Sequence, residues 1–482
     1  MLGALLLVLP ACAKSTPSAD AAAQFGQWLA SRISVEAMMI HLRELQHIAD
    51  DDDGNRAFGS PGYQRSVDYV VNALRGKGFD VQTPEFKVRT YESEKPTLTV
   101  GGNNVRANAL EFSPGTPPAG VRGPLLEVPA GDAPGCEVAD YGGMAVRGAI
   151  ALIDRGGCSF REKQAIAARL GAVAAIIANN NDDDVLQGGL DEGNDVRLPV
   201  VAVSKKDAAR LRSNPGPVFL ALQTTTTELT GRNVIAQTRT GSSHDVVVVG
   251  AHLDSVPEGP GINDNGSGVA AVLETALQLG SSPPIKQAVR FAFWGAEELG
   301  LDGSRNYVEA LTADQLRDIA LYLNFDMLAS PNAGYFTYDG DQSTPPEDDQ
   351  SVPRVPEGSA GIERTLTAYL ADQGITAQDT SFDGRSDYDA FTKAGIPSGG
   401  LFAGAEEIMT AGQAELWDGI ADRPFDPHYH RSTDSLANIN AKALGIQGGA
   451  VGYAVGRYAQ DLTGRNGLPT RPDRVRHRIP EG

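Results

Sequence analysis

The feature that most constrains the fold is an alternation of apolar strands with helical segments in the second half of the chain. Residues 246–250, 288–294 and 320–325 are dominated by apolar side chains, and residues 266–280 have helical periodicity. A strand that is apolar on both faces belongs in a sheet that is covered on both sides. Strands alternating with helices are typical of α/β proteins. We therefore predict an α/β fold with a central sheet flanked by helices.

Potential metal ligands follow each of these three strands. In chain order they are His252 and Asp254, then Glu297 and Glu298, then Asp326. A single aspartate is more often a helix cap or turn former than a ligand. Loops after separate strands of an open α/β sheet can, however, converge on one point beyond the carboxyl ends. The pattern predicts one shared site, and Asp264 and His430 are candidates to complete it.

The types of side chain in this set indicate a zinc hydrolase. Imidazole and carboxylate bind zinc, and a bridging carboxylate can hold two ions about 3.5–4 Å apart. Of the adjacent Glu297 and Glu298, one can bind metal while the other accepts the proton of a metal-bound water. Asp254 is placed to orient the second ring nitrogen of His252 or a nearby group. The sequence contains no His-Glu-x-x-His helix, no phosphate-loop lysine and no Gly-x-Ser-x-Gly elbow.

Residues 110–225 are predicted to form a separate unit. The expected elements are a strand at 149–153, a tight turn at 155–160, a helix at 162–170, and strands at 172–178 and 198–203. The motif RGGCSF, followed by a helix and GAVAAIIANN, resembles the protease-associated domain. This resemblance implies an inserted, mainly β domain with no chemistry of its own. A lid over the substrate and a passive structural insert are both open as its role.

The remaining stretches, about 230–462 together with 34–90, resemble the secreted co-catalytic zinc aminopeptidases of the Streptomyces and Aeromonas type. The matching motifs are GAHLDSVPEGPGINDNGSGVA, FAFWGAEELGLDGS, NFDM, DGRSDY, GIPSGGLFAGAE and YHRSTDS. Together these motifs are highly specific. The resemblance implies a mixed central sheet flanked by helices, and we place this peptidase unit at 34–109 plus 226–464.

The same resemblance implies two zinc ions per chain. His252, Asp264 and Asp326 would be the ligands of one zinc. Asp264, Glu298 and His430 would be those of the other, with Asp264 bridging the two ions.

The family motifs also imply the catalytic roles. Glu297 would be the general base and acid for a metal-bound hydroxide that attacks the peptide carbonyl. Tyr429 would donate its hydroxyl to the oxyanion, and Arg385 would contact the substrate. The peptide bond between Asp264 and Asn265 would be cis.

The loop that carries His430 departs from the family. Relatives often flank the Tyr-His pair with a disulfide, but here those positions are His428 and Thr433. The loop must therefore be held otherwise, and Asp434 is the candidate for that role. His428 could compete with His430 for metal, but only His430 keeps the family's spacing to Asp434.

The start of the chain resembles a bacterial lipoprotein signal. An apolar run at 4–9 leads into Leu-Pro-Ala-Cys, so that Cys12 would be the lipidated residue. An ordinary cleaved signal is the alternative. The run is too short to span a bilayer, which takes about 20 helical residues. We expect 1–33 to be signal and tether, with 13–24 flexible because its residues are small and polar.

The other composition-based expectations concern export and partners. In an oxidising compartment Cys136 and Cys158 are a plausible disulfide, with two unpaired buried thiols as the alternative. A formal net charge of -20 argues against nucleic acid and an anionic membrane surface as partners, which leaves a lipid anchor as the membrane contact. We expect a monomer located in the periplasm, at the outer membrane or outside the cell. The arginine-containing tail at 465–482 is predicted to be disordered.

The sequence as a whole predicts an exported zinc aminopeptidase acting on peptides, with a family expectation of hydrophobic N-terminal residues. A carboxypeptidase on the same fold is the nearest alternative. A one-zinc glutaminyl cyclase-like transferase and a catalytically silent binding module are further alternatives. The complete ligand set and the retained Glu297 favour the two-metal peptidase over both.

Overall fold

The computed structural model describes residues 17–180, 185–186, 188–190, 196–344, 354–464 and 467–479. The chain divides into two compact units, residues 1–88 with 230–481 and residues 89–229. Cys12, the predicted lipidation site, lies outside the described residues. Within the described ranges, no helix combines the length and apolar character needed to cross a membrane.

An eight-stranded mixed sheet forms the centre of the first unit. Its strands, numbered through the whole chain, are β1 Asp80–Gln82, β12 Val234–Gln237, β13 Ser242–His252, β14 Gln287–Trp294, β15 Ile319–Phe325, β16 Phe336–Tyr338, β17 Gln378–Thr380 and β18 Ser398–Phe402. The order across the sheet is β1-β12-β14-β13-β15-β18-β16-β17. Strands β14, β13, β15 and β18 are mutually parallel, so their carboxyl ends share one edge. The predicted α/β class is confirmed.

Helices of the first unit surround this sheet. They are α1 Pro17–Ala30, α2 Val35–Asp51, α3 Pro61–Gly76, α6 Gly268–Leu279, α7 Asp302–Glu309, α8 Ala313–Asp318, α9 Ser359–Asp372, α10 Tyr388–Lys393, α11 Ala411–Trp417 and α12 Ala441–Gln460. Serine caps start α2 and α3, where the Ser34 and Ser60 side chains accept backbone N–H groups. All seven residues of β15 are buried, as a strand covered on both faces should be.

Helix α1 corrects the expectation of a flexible tether over 13–24. The structure has a helix from Pro17 onward, and its Ala22 and Leu29 are buried. A Cβ on Gly26 would lie 2.8 Å from the carbonyl oxygen of Tyr453 in α12, so the two helix backbones are in close contact. The small residues that suggested a tether instead allow this approach.

The C-terminal segment also differs from the prediction of a disordered tail. Residues 467–479 are described and contain a short helical turn at Arg471–Asp473. Arg474 is buried, donates to the carbonyl oxygens of His244 and Arg317, and pairs with Asp245 at 2.5 Å. These acceptors are more than 150 residues from Arg474 in sequence, so the sequence alone could not predict the contacts. Residues 465–466 and 480–482 lie outside the description.

The second unit is built on another eight-stranded sheet. Its order is β4-β3-β10-β6-β7-β8-β9-β5, and the bounds are β3 Thr97–Val100, β4 Asn103–Val105, β5 Asn108–Ala109, β6 Val121–Glu127, β7 Ile150–Asp154, β8 Ala174–Ala178, β9 Val200–Val203 and β10 Pro217–Ala221. Helices α4 Phe160–Leu170 and α5 Lys205–Ser213 accompany it. A separate two-stranded pair consists of β2 Glu85–Ser93 and β11 Thr224–Arg232.

The second unit begins earlier than the predicted residue 110. Strand β3 pairs with β10 of this sheet, and its Leu98 and Val100 are buried in the unit's core. The structure therefore places the unit's start at residue 89. Cys136 and Cys158 are joined by a disulfide with an S–S distance of 2.05 Å, in place of the two unpaired thiols that were the alternative.

Candidate metal centre

The side chains expected to bind metal meet at the carboxyl edge of the parallel strands. His252 is the last residue of β13, and its Nε2 lies 3.2 Å from Asp264 Oδ1 and 3.2 Å from Asp326 Oδ1. His430 Nε2 lies 3.2 Å from Asp264 Oδ2 and 3.1 Å from Glu298 Oε2. The two oxygens of Asp264 therefore face different histidines, which is the arrangement that a bridging carboxylate requires.

The donor set fits divalent metal. At this site two groups have ligand atoms within 4.8 Å of one another, namely His252 with Asp264 and Glu298, and His252 with Glu297 and Asp326. Glu298 Oε1 is buried and has no hydrogen-bond partner, so a ligand position at this site is unsatisfied. Carboxylates gathered out of water repel one another unless positive charge neutralises them.

The protonation equilibria of the carboxylates reflect this crowding. Burial, with the nearby charge of Asp264, raises the pKa of Glu298 to about 7. Burial also raises the pKa of Glu297 well above its usual value. Burial alone would raise the pKa of Asp264 too, but hydrogen bonds from His252 and His430 hold it well below its usual range. Asp264 therefore stays ionised at the centre of the site.

The two histidines are held in the charged form by the same carboxylates. Burial opposes this, but Asp326 and Glu297 raise the pKa of His252 well above its usual value. For His430, burial is outweighed by Asp264 and Glu298, and the pKa rises to about 10. In the protein without metal, protons on both histidines supply the positive charge that the carboxylates need.

Asp254 contacts both His252 and the neighbouring loop that carries the two glutamates. Its backbone carbonyl, rather than its carboxylate, is nearest to the second nitrogen of His252, with Nδ1···O at 3.2 Å against 3.7 Å to Oδ1. The Asp254 carboxylate instead accepts the backbone N–H groups of Glu297 and Glu298 at 3.3 and 3.4 Å. Asp254 thus ties the loop after β13 to the loop after β14.

The sequence of this chain matches two protein families and a close relative. The family model for peptidase family M28 matches residues 233–455, and the PA domain model matches residues 121–211. The "Probable lipoprotein aminopeptidase LpqL" of Mycobacterium tuberculosis is 63% identical over 459 residues, which are 95% of this chain and 92% of that protein. This chain belongs to peptidase family M28.

Further relatives agree with this M28 assignment. "Leucine aminopeptidase 2" of Trichophyton rubrum is 38% identical over 92% of this chain and 87% of its own length. Among solved structures, the zinc aminopeptidase BSAP from Bacillus subtilis is 27% identical, with a TM-score of 0.53, and the match covers 88% of this chain and 94% of that one. The resemblance to zinc aminopeptidases with a protease-associated insert is thereby confirmed.

Hydrogen bonds hold the loop that carries His430. His428 Nδ1 and Thr433 Oγ1 form a hydrogen bond of 2.9 Å. The Asp434 carboxylate accepts the backbone N–H groups of Asn263 and Asp264 at 2.8 and 3.0 Å, which ties the His430 loop to the segment that carries Asp264. His428 thus bonds to Thr433, whereas the His430 ring lies against Asp264.

Backbone conformation contributes to the placement of the M28 site residues. Ala296, Met327 and His430 are non-glycine residues with φ of 56°, 50° and 55°. Such left-handed conformations cost about 1–3 kcal/mol each and persist where the surroundings enforce them. Each residue is next to an expected site residue or is one itself. The peptide bond Asp264–Asn265 is cis, as the family resemblance implied.

A chain of hydrogen bonds behind the M28 site was missed by the sequence analysis. Ser386 Oγ donates to Asp326 Oδ2 at 2.7 Å, and Asn324 Nδ2 donates to Ser386 Oγ at 2.8 Å. Tyr322 donates its hydroxyl to Asn324 Oδ1, and Trp294 Nε1 donates to that hydroxyl, both at 2.9 Å. This chain fixes the rotamer of Asp326. Ser386 lies inside the DGRSDY motif, which was the available signal.

Arg56 is a second residue that the sequence analysis missed. It is fully buried and donates to the carbonyl oxygens of Pro260 at 2.9 Å and Gly261 at 2.6 Å, as well as to that of Leu253. Burial lowers the pKa of Arg56 to about 10, while Asp254 and Asp434 act in the opposite direction. The guanidinium thus holds the loop between the two expected ligands His252 and Asp264.

A cleft of about 100 Å³ opens onto these residues. Its walls include Met327, Tyr338 and Phe402 in addition to the acidic side chains. The ring of Tyr429 stacks on that of His430, with centroids 3.8 Å apart, and burial raises the pKa of its hydroxyl. Arg385 Nη2 lies 3.4 Å from that hydroxyl and 3.0 Å from Glu406. Both residues therefore line the cleft, as their predicted substrate contacts require.

Proposed function

We propose that this chain is a two-zinc aminopeptidase that removes N-terminal residues from peptides. The observation that carries the proposal is the position of Asp264 between His252 and His430, one histidine facing each carboxylate oxygen. Three-ligand sets on either side of a shared carboxylate are the arrangement expected of a two-metal hydrolase. The named activities of the M28 relatives support the same conclusion.

The chain's own residues have distinct roles in this proposal. His252, Asp264 and Asp326 would hold one zinc, and Asp264, Glu298 and His430 the other. Bound zinc supplies a Lewis acid that polarises the scissile carbonyl and acidifies water.

Proton transfer and charge stabilisation then fall to Glu297 and Tyr429. Burial raises the pKa of Glu297 well above its usual value, so its carboxylate is a strong enough base to take a proton from the attacking water and return it to the leaving amine. The phenol of Tyr429, kept neutral by its raised pKa, donates to the oxyanion of the reacting carbonyl.

Substrate binding follows from the walls of the cleft. The free α-amine of a peptide is a cation that the carboxylates of Glu297 and Asp326 can accept. The apolar surfaces of Met327 and Phe402 favour a hydrophobic first side chain. Arg385 lies beside Tyr429 at the same cleft and would bind the peptide beyond the first residue.

Peptide digestion with mass-spectrometric detection tests this function. An aminopeptidase removes residues from peptides with a blocked carboxyl end and leaves N-acetylated ones intact, whereas a carboxypeptidase shows the reverse. A glutaminyl cyclase converts N-terminal glutamine peptides by loss of ammonia without hydrolysis. Counting zinc per chain tests the metal stoichiometry, with two expected.

A pair of histidine variants tests the ligand assignment. His430→Ala should lower the zinc content from two per chain towards one, because it removes a ligand of the second ion. His428→Ala removes only the bond to Thr433 and should retain both ions. Equal zinc loss in both variants would contradict the assignment of His430.

The proposal extends to location. A close relative is named a probable lipoprotein aminopeptidase, and this name supports acylation of Cys12 and export to the cell envelope. We propose that the exported protein is a monomer. Mass spectrometry of the protein extracted from membranes, compared with Cys12→Ser, tests acylation. Sedimentation of the detergent-solubilised protein tests the monomeric state.

A further inference from the structure

Helix α1 buries one side and leaves an aromatic flank uncovered. Ala22 and Leu29 are buried, whereas the Trp28 side chain is 42% exposed. The ring of Phe25 lies 5.1 Å from that of Trp28, centroid to centroid. The Arg32 guanidinium lies 5.4 Å from the Trp28 ring centroid. Phe25, Trp28 and Arg32 thus form one continuous surface, the α1 flank.

The exposure of Trp28 stands out within this chain. The other two tryptophans, Trp294 and Trp417, are 0% and 7% exposed. Tryptophan is enriched where a protein meets the membrane–water interface, because its ring is apolar and its N–H is polar. A cation beside the ring, here that of Arg32, can interact with lipid headgroups at the same interface.

The charge distribution also favours contact with lipid at this flank. The chain carries a formal net charge of -20 and 61 acidic residues, yet residues 21–31 contain no charged side chain. The next residue is Arg32. An acidic protein is repelled by anionic lipids over most of its surface, and an uncharged stretch followed by a cation lowers that repulsion locally.

The covalent distance to Cys12 brings this helix near the bilayer. Five residue steps separate Cys12 from Pro17, the first residue of α1, and they span at most about 18 Å when fully extended. An acylated Cys12 therefore keeps the start of α1 within that distance of the membrane surface.

We propose that the α1 flank lies in the membrane–water interface of the bilayer that holds acylated Cys12, and that this contact orients the enzyme on the membrane. This inference rests on the acylation proposed above and not on the peptidase activity.

Tryptophan fluorescence of the acylated full chain in phosphatidylcholine vesicles tests the proposal. Subtracting the spectrum of Trp28→Phe isolates the emission of Trp28 from that of the two buried tryptophans. We expect this emission to shift to shorter wavelength on reconstitution, to lose quenching by aqueous acrylamide, and to become quenched when the vesicles contain brominated phosphatidylcholine. The Cys12→Ser protein, free in solution, provides the exposed reference.

A matched control places a tryptophan at another exposed apolar position. Val475 is 68% exposed in the same unit, and Val475→Trp in the Trp28→Phe background should stay quenchable by acrylamide and insensitive to brominated lipid. Equal lipid quenching at both positions, or unchanged acrylamide quenching of Trp28 after reconstitution, overturns the proposal. An unacylated Cys12 also overturns it, while activity on N-terminally free peptides would still support the proposed function.

Discussion

The two units end their parallel strands in different ways. In the protease-associated unit, Asp154 at the end of β7 pairs with Arg212, and Asn179 after β8 accepts from Arg155 at 3.2 Å. Arg212 also pairs with Glu127 at the end of β6, so these carboxylates have a cation within the unit. At the corresponding edge of the peptidase unit, the carboxylates share two histidines, and Glu298 Oε1 has no partner. Parallel strands thus bring polar groups together in both units, but only a shortage of local counter-charge makes the edge a metal site.

Removing zinc should produce the largest difference between the two units. A chelator such as 1,10-phenanthroline is expected to abolish activity, because the carboxylates lose their counter-charge and the substrate its Lewis acid. Zinc at a hundredfold excess over its Kd contributes about 2.7 kcal/mol of stability, so the thermal transition of the peptidase unit should fall while that of the other unit stays. Activity assays and calorimetry before and after zinc is restored measure both. Full activity in protein shown to be free of metal would contradict the two-metal proposal.

Glu297→Gln should lower kcat by about 10²–10⁴-fold, the usual contribution of a general base. Zinc content should stay at the wild-type value, because Glu297 is not among the proposed ligands. The matched control is Glu162→Gln in the protease-associated unit, where Glu162 caps helix α4, and this change should leave kcat unaltered. Near-normal turnover in Glu297→Gln would remove the base assignment.

Arg56→Gln should lower the free energy of unfolding by about 3–5 kcal/mol, because the backbone carbonyls and carboxylates around Arg56 lose a buried cation. Arg212→Gln breaks a pair whose side chains are each 28% exposed, and the cost there is expected to be at most about 1 kcal/mol. Urea unfolding of both variants measures the difference. Similar decreases in the free energy of unfolding for both variants would contradict the expectation that the buried Arg56 contributes more stability than Arg212.

Replacing Cys136 and Cys158 with serine should destabilise the protease-associated unit by about 3 kcal/mol, the expectation for a closed loop of this size. The two cysteines are 22 residues apart in sequence and distant in the chain from every proposed ligand. Thermal unfolding is the measurement, and kcat/KM for a short peptide should be unchanged. A loss of zinc in this variant would mean that the units depend on each other more than their separate cores suggest.

The smallest expected effect is the pH dependence of zinc binding. In the metal-free protein the pKa of Glu298 is about 7 and that of His430 about 10, so zinc must displace protons from both below pH 7. Above pH 7 the protons of His430 and of His252, whose pKa is also raised well above its usual value, remain to be displaced. Apparent Kd should therefore fall as pH rises, by about tenfold per unit for each proton displaced, and more steeply below pH 7 than above it. Competition with a chromogenic chelator at pH 6, 7 and 8 measures this; a constant Kd would contradict it.

Much of the first unit could be predicted because its signals are local. The strands β13, β14 and β15 appear in the sequence as apolar runs, and their ends carry His252, Glu297, Glu298 and Asp326. Helix α1 was not predicted, because its alanines and glycine give weak periodicity and its burial depends on α12. The start of the second unit was misplaced for a similar reason, since β3 finds its partner β10 more than a hundred residues later.

The sequence by itself determined which side chains gather at the strand ends, because strand period, motif spacing and ligand chemistry are properties of short segments. Only the tertiary structure decided how those side chains are held. Arg56 donates to the carbonyl of Leu253, 197 residues away in sequence. Ser386 donates to Asp326, 60 residues away, and His428 bonds to Thr433. Folding removes polar groups that are distant in sequence from water, and each buried polar group then needs a hydrogen-bond partner. Such contacts therefore depend on the folded core.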